Sequence, residues 1–189
     1  MRVLTEIGEL GVSIGDRDYL FRPSLAAMSS LGTPAEIVEL FAFMQQPFSK
    51  RTFFAAIPVL WACCDEDVSA LTGYQGSRWH SWVPGALPAE DVVVLARSLL
   101  RHGITGDSTA ERSGEKGEYS VEFNARDFAI MAMAHLGMSE SDAWNCTMTS
   151  LTAAMRSKFP PQKDGKLTLK EADDTMAWYE EVKRKRASK

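Results

Sequence analysis

The sequence predicts a mainly helical protein with a small N-terminal β-hairpin, an α+β chain built as a compact helical domain. Three observations predict it. Apolar and polar residues alternate near the start, with Leu10, Val12 and Ile14 and then Tyr19, Phe21 and Pro23, and a period of two is the mark of a half-buried strand. Helix-start signals follow, the clearest being Thr33-Pro34-Ala35-Glu36. The back of the chain carries two apolar helical runs separated by Gly137.

Between the two alternating runs lies Gly15-Asp16-Arg17-Asp18, rich in turn formers, so the pair reads as a hairpin whose register the alternation sets. A lone hairpin is marginal in water and must pack on the helices or on another chain. Ser24–Ser30 fits a short helix. Thr33 then supplies an N-cap, Pro34 the first turn and Glu36 the reciprocal carboxylate of a capping box. Ile37, Leu40, Phe41 and Met44 follow at helical spacing, and Pro47 closes the segment. The apolar run Phe53–Cys64 predicts a second core helix, kinked or begun at Pro58.

Residues 73–88 hold Gly73, Gly76, Pro84, Gly85 and Pro88 and read as turns. They carry Trp79 and Trp82, either a cover over the core or a contact surface, since tryptophan joins a large apolar area to one donor. From Ala89 the helical pattern resumes with Val92, Leu95, Ala96 and Leu99, and Gly103 is the expected stop. The segment 104–118 is rich in Gly, Ser, Thr and charge. It predicts a loop or linker between an N-terminal region, 1–103, and a C-terminal helical region, 119–189, unless the whole is one domain.

Asn124 is the expected N-cap of a helix from Ala125 to Leu136, apolar almost all round and so buried on most sides. Gly137 ends it. Ser139 starts a second helix, with Asp142 as a weak capping-box partner. Trp144, Met148, Leu151 and Met155 lie along one face of it. That stripe fits intramolecular core or a surface for a partner helix. A last helix begins at Thr168-Leu169-Lys170-Glu171 and ends in Lys183-Arg184-Lys185-Arg186, where cations suit the helix dipole or an acidic partner.

Composition excludes several classes. In 189 residues, hydrophobic content is 45% and net charge −4, which fits a soluble globular chain and argues against general binding to nucleic acid. The start has no basic segment followed by an apolar run, so no signal peptide is expected. The longest apolar run is too short for a bilayer, which needs roughly 20 residues. Three cysteines, Cys63, Cys64 and Cys146, form no CxxC and no even framework, so reduced buried thiols are expected.

Chemical motifs are weak throughout. Asp164-Gly165-Lys166-Leu167-Thr168 with Glu171 matches half of a calcium loop, but Pro160 and Gln162 occupy ligand positions, so a turn with a capping box is preferred. The three histidines share no metal-ligand spacing with the cysteines. No GxSxG, P-loop, GxGxxG or HExxH occurs, so neither enzyme activity, cofactor nor metal is expected. A DNA-reading helix-turn-helix fits the shape of the Gly137 corner, yet Ser139–Leu151 offers Glu140 and Asp142 and no Lys or Arg to meet phosphates.

The run His135-Leu136-Gly137-Met138-Ser139, then Asp142-Ala143-Trp144 and Met148-Thr149 before a helix, resembles tail assembly chaperones of long-tailed bacteriophages. The likeness covers about forty residues of the back half, roughly a fifth of the chain, and the long front half departs from smaller family members. It implies a non-enzymatic morphogenesis factor in the host bacterial cytoplasm. Its partners would be the tape-measure protein and tail-tube protein, with self-association possible and neither nucleic acid nor membrane bound. Trp144, Met148, Leu151, Met155, Trp79 and Trp82 are the candidate contacts.

Overall fold

Alternation at the N-terminus does produce a hairpin. A computed structural model describes residues 3–76, 81–106 and 122–160. After a single tight turn at Thr5–Ile7, β1 (Leu10–Ile14) pairs antiparallel with β2 (Arg17–Phe21), with Leu10 opposite Phe21, Val12 opposite Tyr19 and Ile14 opposite Arg17. The loop shrinks to Gly15-Asp16, because Arg17 and Asp18 already belong to the ladder. Gly15 supplies the positive φ that so short a turn requires. Tyr19 and Phe21 are buried, so the hairpin is anchored through its second strand.

Caps then set the helix starts. Ser24 Oγ accepts from the Ala27 amide at 3.1 Å and opens α1 (Leu25–Ser29). The Thr33–Glu36 box opens α2 (Pro34–Met44) as the sequence predicts. The next helix, α3 (Lys50–Cys63), begins a turn before the apolar run, because Ser49 and Thr52 form a second reciprocal box. Pro58 lies inside α3 rather than at its start.

The described residues of 73–76 and 81–88 hold strand as well as turn. Behind the short α4 (Ser69–Thr72), β3 (Gly73–Gln75) pairs with β4 (Trp82–Pro84). Glycine and proline hide this hairpin in the sequence, yet the glycines are what let its backbones meet. A Cβ on Gly85 would stand 2.1 Å from the Leu71 carbonyl oxygen, and one on Gly73 2.3 Å from that of Val83.

The helix α5 (Ala89–Leu100) continues into a π-turn over Arg101–Thr105. Gly103 is therefore not the stop. It is buried where a Cβ would meet the Met28 thioether at 2.6 Å, and the left-handed Gly106 ends the helix instead.

The back of the chain forms α6 (Ala125–Leu136), α7 (Glu140–Asn145) and α8 (Met148–Lys158). Three expectations change here. Asn124 stands at the N-cap position without a capping side-chain bond. The helix α6 is not buried on most sides: only Ala125, Ala129 and Ala132 are fully covered, while Ile130 is 47% and Met131 37% exposed. Small alanines make its fully buried stripe, Phe128, Met133 and Leu136 pack beside it half-buried, and Ile130 and Met131 point outward. The helix expected from Ser139 onward is broken at Cys146-Thr147. Thr147 pairs there with Ser24, donates its hydroxyl to the Ile7 carbonyl at 2.6 Å and accepts from the Ser150 amide to cap α8.

Leu25 also donates its amide to the Cys146 carbonyl at 2.9 Å, and α1 packs against α3, α6 and α7. One unit runs Met1–Lys158 and a second Phe159–Lys189. The helix pair α3–α5 and residues such as Phe21, Leu25, Met28, Leu60, Leu99, Leu100 and Leu151 make up the core of the first unit. Trp79, residues 107–121, the turn at Asp164–Glu171 and the final helix with its Lys183–Arg186 end lie outside the described residues.

Candidate partner-binding surface

Two faces of α3 are apolar, and only one is covered. Thr52, Ala56, Val59, Leu60 and Cys63 point into the core, where α5, α2 and α1 pack against the helix. The opposite face carries Phe54, Pro58 and Trp61, spaced four and three, which puts them on one side of an α-helix. Phe54 is 49% and Trp61 45% exposed, and Pro58 is exposed between them. Sequence periodicity missed this face because the whole run Phe53–Cys64 is apolar. The signal was surplus: an apolar run wider than one buried stripe must show the excess to solvent.

The β3–β4 hairpin extends this surface. Trp82 packs edge-on against Phe54 with ring centroids 5.2 Å apart, and against Phe53 at 6.0 Å. Its half-buried ring leaves the indole Nε1 buried and, among the described residues, without a hydrogen-bond acceptor, close to the backbone at Gly73. Tyr74 and Val83 face each other across the strands, and both are exposed. Phe48, just before α3, is exposed as well. Isolated apolar side chains on a surface need no explanation, whereas a contiguous aromatic group marks a contact site.

The candidates named from sequence are thus divided. Trp82 belongs to this surface. Met148 and Leu151 are buried in the protein's own core at 5% and 1% exposure, a correction to their reading as partner contacts. Trp144 and Met155 are half-buried and pack against that core. Trp79 lies outside the described residues.

A concavity lies elsewhere. A cleft of about 470 Å³ is lined by Arg22, Cys63, Cys64, Asp65, Glu66 and Asn145, among others. Arg22 Nε donates to Glu9 Oε1 at 2.7 Å, and the second carboxylate oxygen of Glu9, which is 1% exposed, accepts from the Leu4 amide. Burial, helped by the neighbouring Cys64, pushes the Cys63 thiol up to about 12. Burial also raises the Cys64 thiol. Both are therefore protonated at neutral pH and weak nucleophiles. Among the described residues no group of three His, Cys, Asp or Glu side chains is placed to hold a metal ion, and no helix is long and apolar enough to cross a membrane.

At the α6–α7 corner, Ser139 caps α7 through the Asp142 amide and donates its hydroxyl to Asp142 Oδ2 at 2.6 Å. Glu140 and Asp142 face solvent, so the corner presents acid.

Residues 42–174 match the model of DUF6246, a family of unknown function, and the chain belongs to that family. The matched span takes in α3, the β3–β4 hairpin and the helices behind them. No curated protein and no solved structure matches the chain.

Proposed function

We propose that this member of the DUF6246 family is a non-enzymatic assembly chaperone of a long phage tail. It binds helical segments of the tape-measure protein and tail-tube subunits in the host cytoplasm. The observation that carries the reading is the uncovered aromatic face of α3. A chaperone for a long amphipathic helix needs an apolar strip about as long as a few helical turns, to take the place of the contacts the client lacks before assembly. Phe54, Pro58 and Trp61 supply such a strip, and Trp82 broadens it. The resemblance of the His135–Thr149 segment to tail assembly chaperones supplies the kind of client. The test is a titration of full-length protein with a tape-measure peptide spanning one amphipathic helix. Saturable binding supports the reading; no binding of that peptide or of tail-tube protein removes it.

A helix-turn-helix regulator is the second reading, and charge works against it. The second helix of the corner, α7, is six residues long and shows Glu140 and Asp142 to solvent, where a duplex backbone would repel them. A salt-dependent shift of duplex DNA by the purified protein would reverse this order.

A further inference from the structure

The charges at the ends of α3 run against its own dipole. A helix favours acids in its first turn and bases in its last. This one has no acid in the first turn and no base in the last. Instead Lys50 and Arg51 stand exposed at its start, and Asp65 and Glu66 stand exposed just beyond its end. None of the four makes an ion pair with a described residue. The order along the helix is therefore cationic, apolar, anionic: Lys50 and Arg51, then Phe54, Pro58 and Trp61, then Asp65 and Glu66.

That order is complementary to itself in reverse. When two copies of α3 lie antiparallel about a two-fold axis between Ile57 and Pro58, Phe54 of each copy comes opposite Trp61 of the other. The same register brings the Lys50 end of each beside the Asp65 end of the other, because both pairs share one midpoint. A two-fold interface must be self-complementary in this way, and complementary charges at its rim fix register and orientation.

We propose that the outward face of α3 pairs with the same face of a second copy, forming an isologous antiparallel dimer that shelters Phe54 and Trp61 until a client displaces it. The displacement rests on the chaperone reading above; the pairing does not. One helix face offers a small number of contacts, so the dimer is expected to be weak and exchangeable.

The test uses full-length protein and charge reversal. Sedimentation velocity on the wild type, at on the order of 100 µM, is expected to show a dimer. Two variants reverse one end each, Lys50→Glu/Arg51→Glu and Asp65→Lys/Glu66→Lys. Each is expected to weaken self-association about tenfold, since both ends of the dimer change from attraction to repulsion. An equimolar mixture of the two restores every pairing and is expected to recover a one-to-one dimer. A monomeric wild type, reversed variants that still dimerise, or a mixture that stays monomeric each overturns the proposal. Should a reversed variant not fold, Phe54→Ser/Trp61→Ser, which alters exposed positions only, must be monomeric. Titration of the wild type with the tape-measure peptide is scored separately. Client binding without a wild-type dimer removes the pairing alone; a dimer without client binding removes the chaperone reading alone.

Discussion

Leu151→Ala separates a core residue from a contact residue on the stripe that the sequence left open. Leu151 is 1% exposed, on a helix that packs against the π-turn after α5 and the first turn of the chain. Truncation to alanine removes three buried carbons. At about 0.8 kcal/mol per buried methylene this costs about 2.4 kcal/mol. A cavity that the fixed neighbours cannot fill brings the total toward the 3–5 kcal/mol end of measured Leu→Ala losses, roughly. For a chain of this size, 3 kcal/mol lowers the thermal midpoint by roughly 6–12 °C. Urea and thermal unfolding followed by circular dichroism at 222 nm read the change directly. A loss under about 0.5 kcal/mol, the range of ordinary surface substitutions, would refute the placement of Leu151 in the core and return the stripe to the list of partner surfaces.

Three further outcomes are expected. Gly85→Ala drives a Cβ against backbone atoms of Leu71 and Gly73, which cannot step aside as a side chain can. It is expected to cost at least about 2 kcal/mol, seen as a lowered urea midpoint. Arg22→Met leaves the buried Glu9 carboxylate without its cation. The loss is expected at about 1–3 kcal/mol, below that of a fully buried pair because Arg22 is itself 46% exposed; an unchanged urea midpoint would show the pair to be incidental. The thiols set an alkaline limit. In the unfolded chain Cys63 ionises near pH 8.5, whereas in the fold burial holds its proton to about 12. Its contribution is whole below pH 8.5 and is lost as pH rises toward 12. The urea midpoint should fall between pH 8 and pH 10.5, and fall less in Cys63→Ala. Equal slopes in the two proteins would count against this account.

Several local signals in the sequence hold where chemistry acts over three or four residues, although the Asn124 cap does not form. The capping box at Thr33, the left-handed stop at Gly137 and the alternation in β1 and β2 all appear in the fold, because each is satisfied by neighbours in the chain. Long-range demands were illegible. Gly103 reads as a helix stop, but its role is set by Met28, which lies far away in sequence. Thr147 reads as part of a continuous helix, but the Ile7 carbonyl and Ser24 claim it and the helix breaks. The α3 face was hidden for a related reason: apolar side chains look alike in a sequence whether a partner helix covers them or water does. Only the packing of α5 and α2 on one side reveals Phe54 and Trp61 as the uncovered side.

The central claim is that this uncovered face binds a client helix. The most direct measurement is a fluorescence titration of full-length protein with a tape-measure peptide, done in parallel on Phe54→Ser/Trp61→Ser by calorimetry. The account predicts a blue shift of tryptophan emission on binding and an affinity at least about tenfold weaker in the variant, a loss typical of removing exposed aromatic anchors. Equal affinity in both proteins, with both folded, would contradict it.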